Sequence, residues 1–117
     1  MTIPKEIQGQ NYIALTSVRK NGLGVTTPVW FAEEADKLLV MTRNDSGKYK
    51  RIRNHPQIKL APCTMGGKIT GPEFSATARV LPEAQWPEAK KALQRKYWLA
   101  RLPFWSNKNE FLEIVVE

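Results

Sequence analysis

The residues whose types and spacing carry the most chemistry are Ser46-Gly47-Lys48-Tyr49-Lys50-Arg51, inside a run from Met41 to Pro56. Five cations in that run, Arg43, Lys48, Lys50, Arg51 and Arg53, face a single acid, Asp45. Asp45 and Ser46 are helix-capping types, and Pro56 ends whatever helix begins there. A short helix is therefore expected after residue 45, with a hydroxyl at its start and lysines one turn in. The free N–H groups and positive dipole end of such a helix attract anions, so phosphate is the ligand the run suits. A solvated basic helix that only keeps the chain soluble accounts for the same residues.

Thr27-Pro28-Val29-Trp30 is the second stretch of interest. Pro28 lacks the N–H a strand interior needs, which predicts an edge strand or a bulge there. A bulge beside Trp30 is a place where a flat heterocycle could meet open backbone groups; a core or dimer-interface tryptophan is the competing reading. Trp86, Trp98 and Trp105 suit core, interface or lid positions. Side-chain nucleophile chemistry has little support. Cys63 sits in an apolar strand with no His near it in sequence and reads as a packed thiol. His55 precedes a proline at a helix end, which suits a capping or surface role. Glu33, Glu34 and Asp36 cluster in a turn as solvated charge. One His and one Cys argue against a zinc site of such ligands within one chain, and no metal is expected. Neither a G-x-G-x-x-G nor a Walker-type loop is present. An enzyme built on this chain needs a bound cofactor to carry the chemistry.

The elements that must hold these residues follow from alternation and turn signals. Strands are expected over 11–18, 25–32, 37–42, 57–63, 74–81 and 111–116. Asn21-Gly22 predicts a type I′ hairpin turn. Pro62, like Pro28, predicts an edge or a bulge. Ile3 and Ile7 could share one turn of helix in an otherwise unpatterned start. After Pro82 and Pro87, Trp86, Ala89, Leu93, Tyr97 and Ala100 recur at helical spacing opposite Lys90, Lys91, Arg95 and Lys96. Six short strands with a basic helix and an amphipathic helix predict a mainly β fold: an antiparallel barrel with helices packed outside.

The 117 residues fit a single domain with a modest core, so a dimer interface would be no surprise. No apolar run nears the length of a membrane helix, no signal-peptide pattern opens the chain, and a lone cysteine is consistent with a reducing cytoplasm. The formal charge of +7 points to an anionic partner. A nucleic-acid module ranks last, because base-stacking aromatic residues are not interleaved with the cations and no recognition motif is present.

Several of these stretches resemble a known family. Tyr12 to Gly22 followed by Thr27-Pro28-Val29-Trp30 resembles the opening of the pyridoxamine 5′-phosphate oxidase-like superfamily. Thr42, Ser46-Gly47-Lys48, Lys50-Arg51-Ile52-Arg53-Asn54 and Leu60-Ala61-Pro62-Cys63 are similar to its F420-dependent subgroup, and Gly71, Thr77-Ala78-Arg79 and Arg95-Lys96-Tyr97 continue the pattern. The resemblance spans nearly the whole chain. It implies a six-stranded split β-barrel that dimerises with itself, with cofactor sites at the subunit interface. Thr27, Pro28, Val29 and Trp30 would lie along the ring of a deazaflavin or flavin. Ser46, Lys48, Lys50 and Arg51 would hold its phosphate, with Thr42 close by, and the backbone of Leu60, Ala61 and Pro62 would line the same pocket. The implied activity is hydride transfer between F420, or alternatively FMN, and a small-molecule acceptor; a non-catalytic carrier on the same fold is the other possibility. The excess of cations suits the polyanionic tail of F420. Trp98, Phe104 and Trp105 are candidates to cover the open ring face.

Overall fold

In the computed structural model, which describes residues 3–43, 47–96 and 109–117 except for the side chains of Arg43, Lys48, Gln94 and Asn109, seven strands form one antiparallel sheet. They are β1 (Tyr12–Val18), β2 (Gly24–Trp30), β3 (Ala32–Glu34), β4 (Lys37–Arg43), β5 (Gln57–Pro62), β6 (Phe74–Val80) and β7 (Asn109–Val116), accompanied by α1 (Gly47–Asn54) and α2 (Trp86–Lys96). The order across the sheet is β2-β1-β5-β6-β7-β4-β3. Its two edges, β2 and β3, are separated in sequence by one residue, Phe31. A sheet whose opposite edges are joined by a single residue has to curl until those edges meet, and the result is a split β-barrel.

The expected second strand over 25–32 is thus two strands, which accounts for seven where six were expected. At Phe31 the backbone leaves its pairing with β1 and turns to pair with β4, while the ring fills the core with no exposed surface. Alternation alone does not reveal such a corner, because both halves keep the same residue types. Pro28 lies on an edge strand, where its missing N–H is tolerated. Pro62 does not: β5 is central, and the proline stands at its end, past Leu60↔Phe74 where pairing with β6 stops. The hairpin after β1 also differs from expectation. Arg19 accepts a hydrogen bond from Gly22 N and donates one to Leu23 O, and of its loop residues only Gly22 has positive φ. The loop is therefore Lys20-Asn21-Gly22, a type I turn closed by a left-handed glycine, in place of the two-residue type I′ turn.

Inside the barrel, Ile13 and Leu15 of β1 meet Val29 of β2, Leu60 of β5 and Ile114 of β7, and Ile52 of α1 closes one end. Ile3 and Ile7 are buried in the same core, held by a turn in which Ile7 N and Gln8 N both donate to Pro4 O. The second helix packs on the sheet's outer side through Ala89, Ala92 and Leu93, over Leu39 and Phe111. Trp86 is fixed by a 2.9 Å hydrogen bond from its indole N–H to Leu81 O and by a tilted contact with Phe111, so it is a packing residue. Pro87 occupies the first turn of α2, where no intrahelical donor is needed. Tyr97 and Ala100 of the expected helix face lie outside the described residues. Among the described residues, no helix is long and apolar enough to cross a membrane.

Candidate functional site

The first turn of α1 and the end of β1 face each other across a depression of about 240 Å³. From α1 come Gly47, Lys50, Arg51 and Asn54, one stripe of an eight-residue helix; from the strand end come Val18, Arg19 and Lys20. His55 stands at the rim, its backbone N–H closing the helix on Arg51 O. The guanidinium of Arg51 is held at both ends. Its Nε donates a 2.6 Å hydrogen bond to Ser17 Oγ, a hydroxyl with no exposed surface on the inward face of β1. Its Nη1 lies against the start of the helix, so closely that a β-carbon at Gly47 would stand 2.8 Å from it.

The electrostatics of this corner are one-sided. Burial, and then the like charge of Arg19, lower the pKa of Arg51. Among the described residues, Arg19, Lys20, Lys50 and Arg51 have no acidic partner. Three cations elsewhere do: Arg79 and Lys37 share Glu113, and Arg95 meets Glu34 at 3.1 Å. Four cations gathered around a cavity without a carboxylate form a site that an anion would neutralise. The volume suits a phosphate-sized end group, below the range for a whole drug-sized ligand.

A track on the outside of the barrel leads away from this pocket. Strand residues alternate between faces, and Ile13, Leu15 and Ser17 point inward, so Tyr12, Ala14, Thr16 and Val18 point out. The register brings Trp30, Pro28 and Thr26 of β2 beside Tyr12, Ala14 and Thr16, while Ala61 and Lys59 of β5 flank Ala14 and Thr16 on the other side. Pro28 is exposed in this row, with Ala14 and Ala61 buried at its floor, between Trp30 beside Tyr12 and a polar step where the Thr16 and Thr26 hydroxyls bond at 2.7 Å. From Ala14 to Val18 the track runs about 13 Å, at the usual rise per strand residue. The loop over 64–70 borders the row at Gly67, beside the Pro28 ring, and leaves Met65 and Ile69 exposed.

The residues expected to bind a cofactor therefore divide. Lys50 and Arg51 line the basic pocket. Pro28, Trp30 and Ala61 share the outer track, while the side chains of Val29 and Leu60 are core, leaving only their backbones to face a ligand. Pro62 is buried at the end of β5. The Thr27 hydroxyl points inward from β2 and is buried without a hydrogen-bond partner. Thr42 is buried on β4 and does not line the pocket. Ser46, the side chain of Lys48, Trp98, Phe104 and Trp105 lie outside the described residues. Ser17, Arg19 and Lys20 were not foreseen as site residues. A signal existed for Ser17, a hydroxyl in phase with Ile13 and Leu15 on a buried face; Arg19 and Lys20 directly precede the expected Asn21-Gly22 turn, and nothing local marks them as a site. Cys63 is buried, and burial raises its pKa, so it is a packed thiol. The described residues hold no group of three potential metal ligands.

The sequence profile described as pyridoxamine 5′-phosphate oxidase matches residues 2–117. The chain belongs to that family. Solved structures of the same fold surround this member of the pyridoxamine 5′-phosphate oxidase family at low identity. A candidate pyridoxamine 5′-phosphate oxidase from Listeria innocua is 16% identical with a TM-score of 0.69, over 92% of this chain and 85% of that one. HutZ, the haem storage protein of Vibrio cholerae, is 13% identical with a TM-score of 0.73, over 100% and 92%. The Agrobacterium tumefaciens protein Atu2129, of unknown function, is 12% identical with a TM-score of 0.76 over 92% of this chain, which spans only 51% of its length. No curated protein sequence matches the chain with significance.

Proposed function

We propose that this family member is an oxidoreductase that binds F420, or alternatively FMN, and uses it to exchange a hydride with a small-molecule acceptor. The observation that carries this reading is the pocket of four cations without acids at the end of β1, on the strand whose outer face carries Ala14 between Pro28 and Ala61, next to Trp30 beside Tyr12. A planar ring joined by a short polyol to a phosphate has that outline. When bound, such a group supplies the hydride chemistry itself. The chain's part is to orient it. Arg51, Arg19 and Lys50 would neutralise the phosphate, with Lys48 and Ser46 joining from the helix start and Thr42 close by. Pro28, Ala61 and Ala14 would support the ring, with the backbones of Thr27, Val29, Leu60 and Pro62 beside it and Trp30 at its edge. Trp98, Phe104 and Trp105 are proposed to cover its open face. No catalytic acid or base is required of the protein. The net charge of +7 favours F420, whose tail is a polyanion, over FMN.

The same reading includes a homodimer. The outer track is shallow, and Met65 and Ile69 beside it stand exposed at 73% and 47%. A second copy would cover both and deepen the track into a closed site. A haem-binding reading, which similarity to HutZ raises, has less support: the one imidazole, His55, borders a small pocket lined by four cations and a single apolar side chain, Val18.

The deciding experiment incubates the protein separately with F420, FMN and haem, desalts it, and records the absorption spectrum. About one F420 or FMN retained per subunit, with reduction of nitro, quinone, enone or tetrapyrrole acceptors, supports the proposal. Retention without turnover would convert it to a carrier, and retention of haem alone would overturn it.

A further inference from the structure

We infer that Ser17 and Gly47 are positioning residues for Arg51, fixing its guanidinium over the first turn of α1 so that the arginine and the helix start act together on one phosphate. The inference rests on the proposed phosphate site and goes beyond it, because neither residue need touch the ligand.

The geometry is specific at both ends of the side chain. An arginine on a helix surface ordinarily samples many rotamers and loses that freedom when it binds. Here Nε is tied at 2.6 Å to a hydroxyl that has no exposed surface and belongs to β1, paired there with Val25 of β2. Ser17 occupies an inward position of the barrel, where Ile13 and Leu15 are otherwise the neighbours in phase. A buried hydroxyl needs a partner, and here the partner is the Nε of a charged side chain. Nη1, at the other end, lies where a β-carbon at position 47 would stand 2.8 Å away, so a side chain there would displace the guanidinium tip. Gly47 has no positive φ, so the backbone does not demand glycine there; what a β-carbon would change is the place of the Arg51 guanidinium. With Nε committed to Ser17, the outer nitrogens remain to meet a phosphate beside the free N–H groups of the first helical turn. The absence of an acidic partner for Arg51 among the described residues leaves that charge available.

The test compares four proteins, wild type, Ser17→Ala, Gly47→Ala and Arg51→Ala, together with the Ser17→Ala/Arg51→Ala and Gly47→Ala/Arg51→Ala doubles. Each is titrated with F420 and FMN and with their phosphate-free counterparts, the deazaflavin alcohol and riboflavin, with the melting temperature recorded alongside. Each single substitution at 17 or 47 is expected to weaken the phosphate-bearing ligand about tenfold, the scale of one charge-assisted hydrogen bond. Affinity for the phosphate-free ligand should stay unchanged, and the effect should vanish in the Arg51→Ala background. Gly47→Ala should fold at least as well as wild type, since alanine is the better helix former; it carries the test alone if Ser17→Ala does not fold. Equal losses for both ligand types, or losses that persist without Arg51, would overturn the inference and leave the two residues merely structural. If Arg51→Ala itself has no effect, the phosphate site falls, and the inference with it. If Arg51→Ala weakens binding while Ser17→Ala and Gly47→Ala do not, only the inference falls.

Discussion

Glu113 shows how single side chains on this barrel answer to pH. Burial raises its carboxyl pKa, but the paired hydrogen bonds from Arg79, at 3.0 and 3.2 Å, and the charges of Arg79 and Lys37 outweigh that and leave it lowered. The folded carboxylate thus holds its charge to lower pH than the unfolded one, whose ordinary value is 4.5. Its stabilisation is complete above that value and is lost as the pH falls through the folded value. Arg79 and Lys37 are about half exposed, so solvent screens the pair and the contribution is below about 1 kcal/mol. Thermal melts of Arg79→Met against wild type, taken from neutral pH down into the acid limb, should converge as the pH falls; parallel curves would sink the assignment. The Thr27 hydroxyl makes the opposite case, since it is buried without a partner. Thr27→Val should raise stability by about 1 kcal/mol in urea denaturation. The site was only half legible at this scale. Lys50 and Arg51 were readable because charge and helix capping are local. The pairing of Ser17 with Arg51 joins residues 34 apart, and only the sheet brings them together.

The hairpin between β3 and β4 has a two-residue loop, Ala35-Asp36, in which Ala35 has φ of +56°. A left-handed alanine is strained by its β-carbon. Ala35→Gly should therefore stabilise the chain by about 0.5 to 1 kcal/mol even after glycine's greater freedom when unfolded is subtracted, and a lower melting temperature would contradict it. The corner at Phe31 is the costlier element to disturb. Its ring has no exposed surface, and Lys96 Nζ sits 3.6 Å from the ring centroid while donating to Gln10 O at 2.6 Å. Phe31→Ala should cost about 3 to 5 kcal/mol in the same denaturation assay and loosen both sheet edges together. Periodicity disclosed most strands and the inner face of α2, because those depend on neighbours two to four residues away. It missed the corner and misplaced Pro62, because which strands are edges is a property of the whole sheet.

For the whole molecule, the proposed dimer predicts twice the 13.4 kDa chain mass in sedimentation or light scattering; a stable monomer at cofactor-binding concentrations would remove the shared site. The unneutralised cations predict that affinity for FMN or F420 falls as salt rises from low to physiological ionic strength while affinity for riboflavin holds, since exposed charges are screened within about 8 to 10 Å. One feature of the sheet reaches beyond the finished structure. The final strand in sequence, β7, stands between β6 and β4 in the middle of the sheet. A ribosome makes the chain from the other end, at about 5 to 20 residues per second. For several seconds the β2-β1-β5-β6 half and the β4-β3 hairpin must exist as separate pieces, each showing an unpaired edge where β7 will go. Until residue 116 has been made, the barrel has a missing stave, and the nascent chain is most exposed to aggregation during that interval.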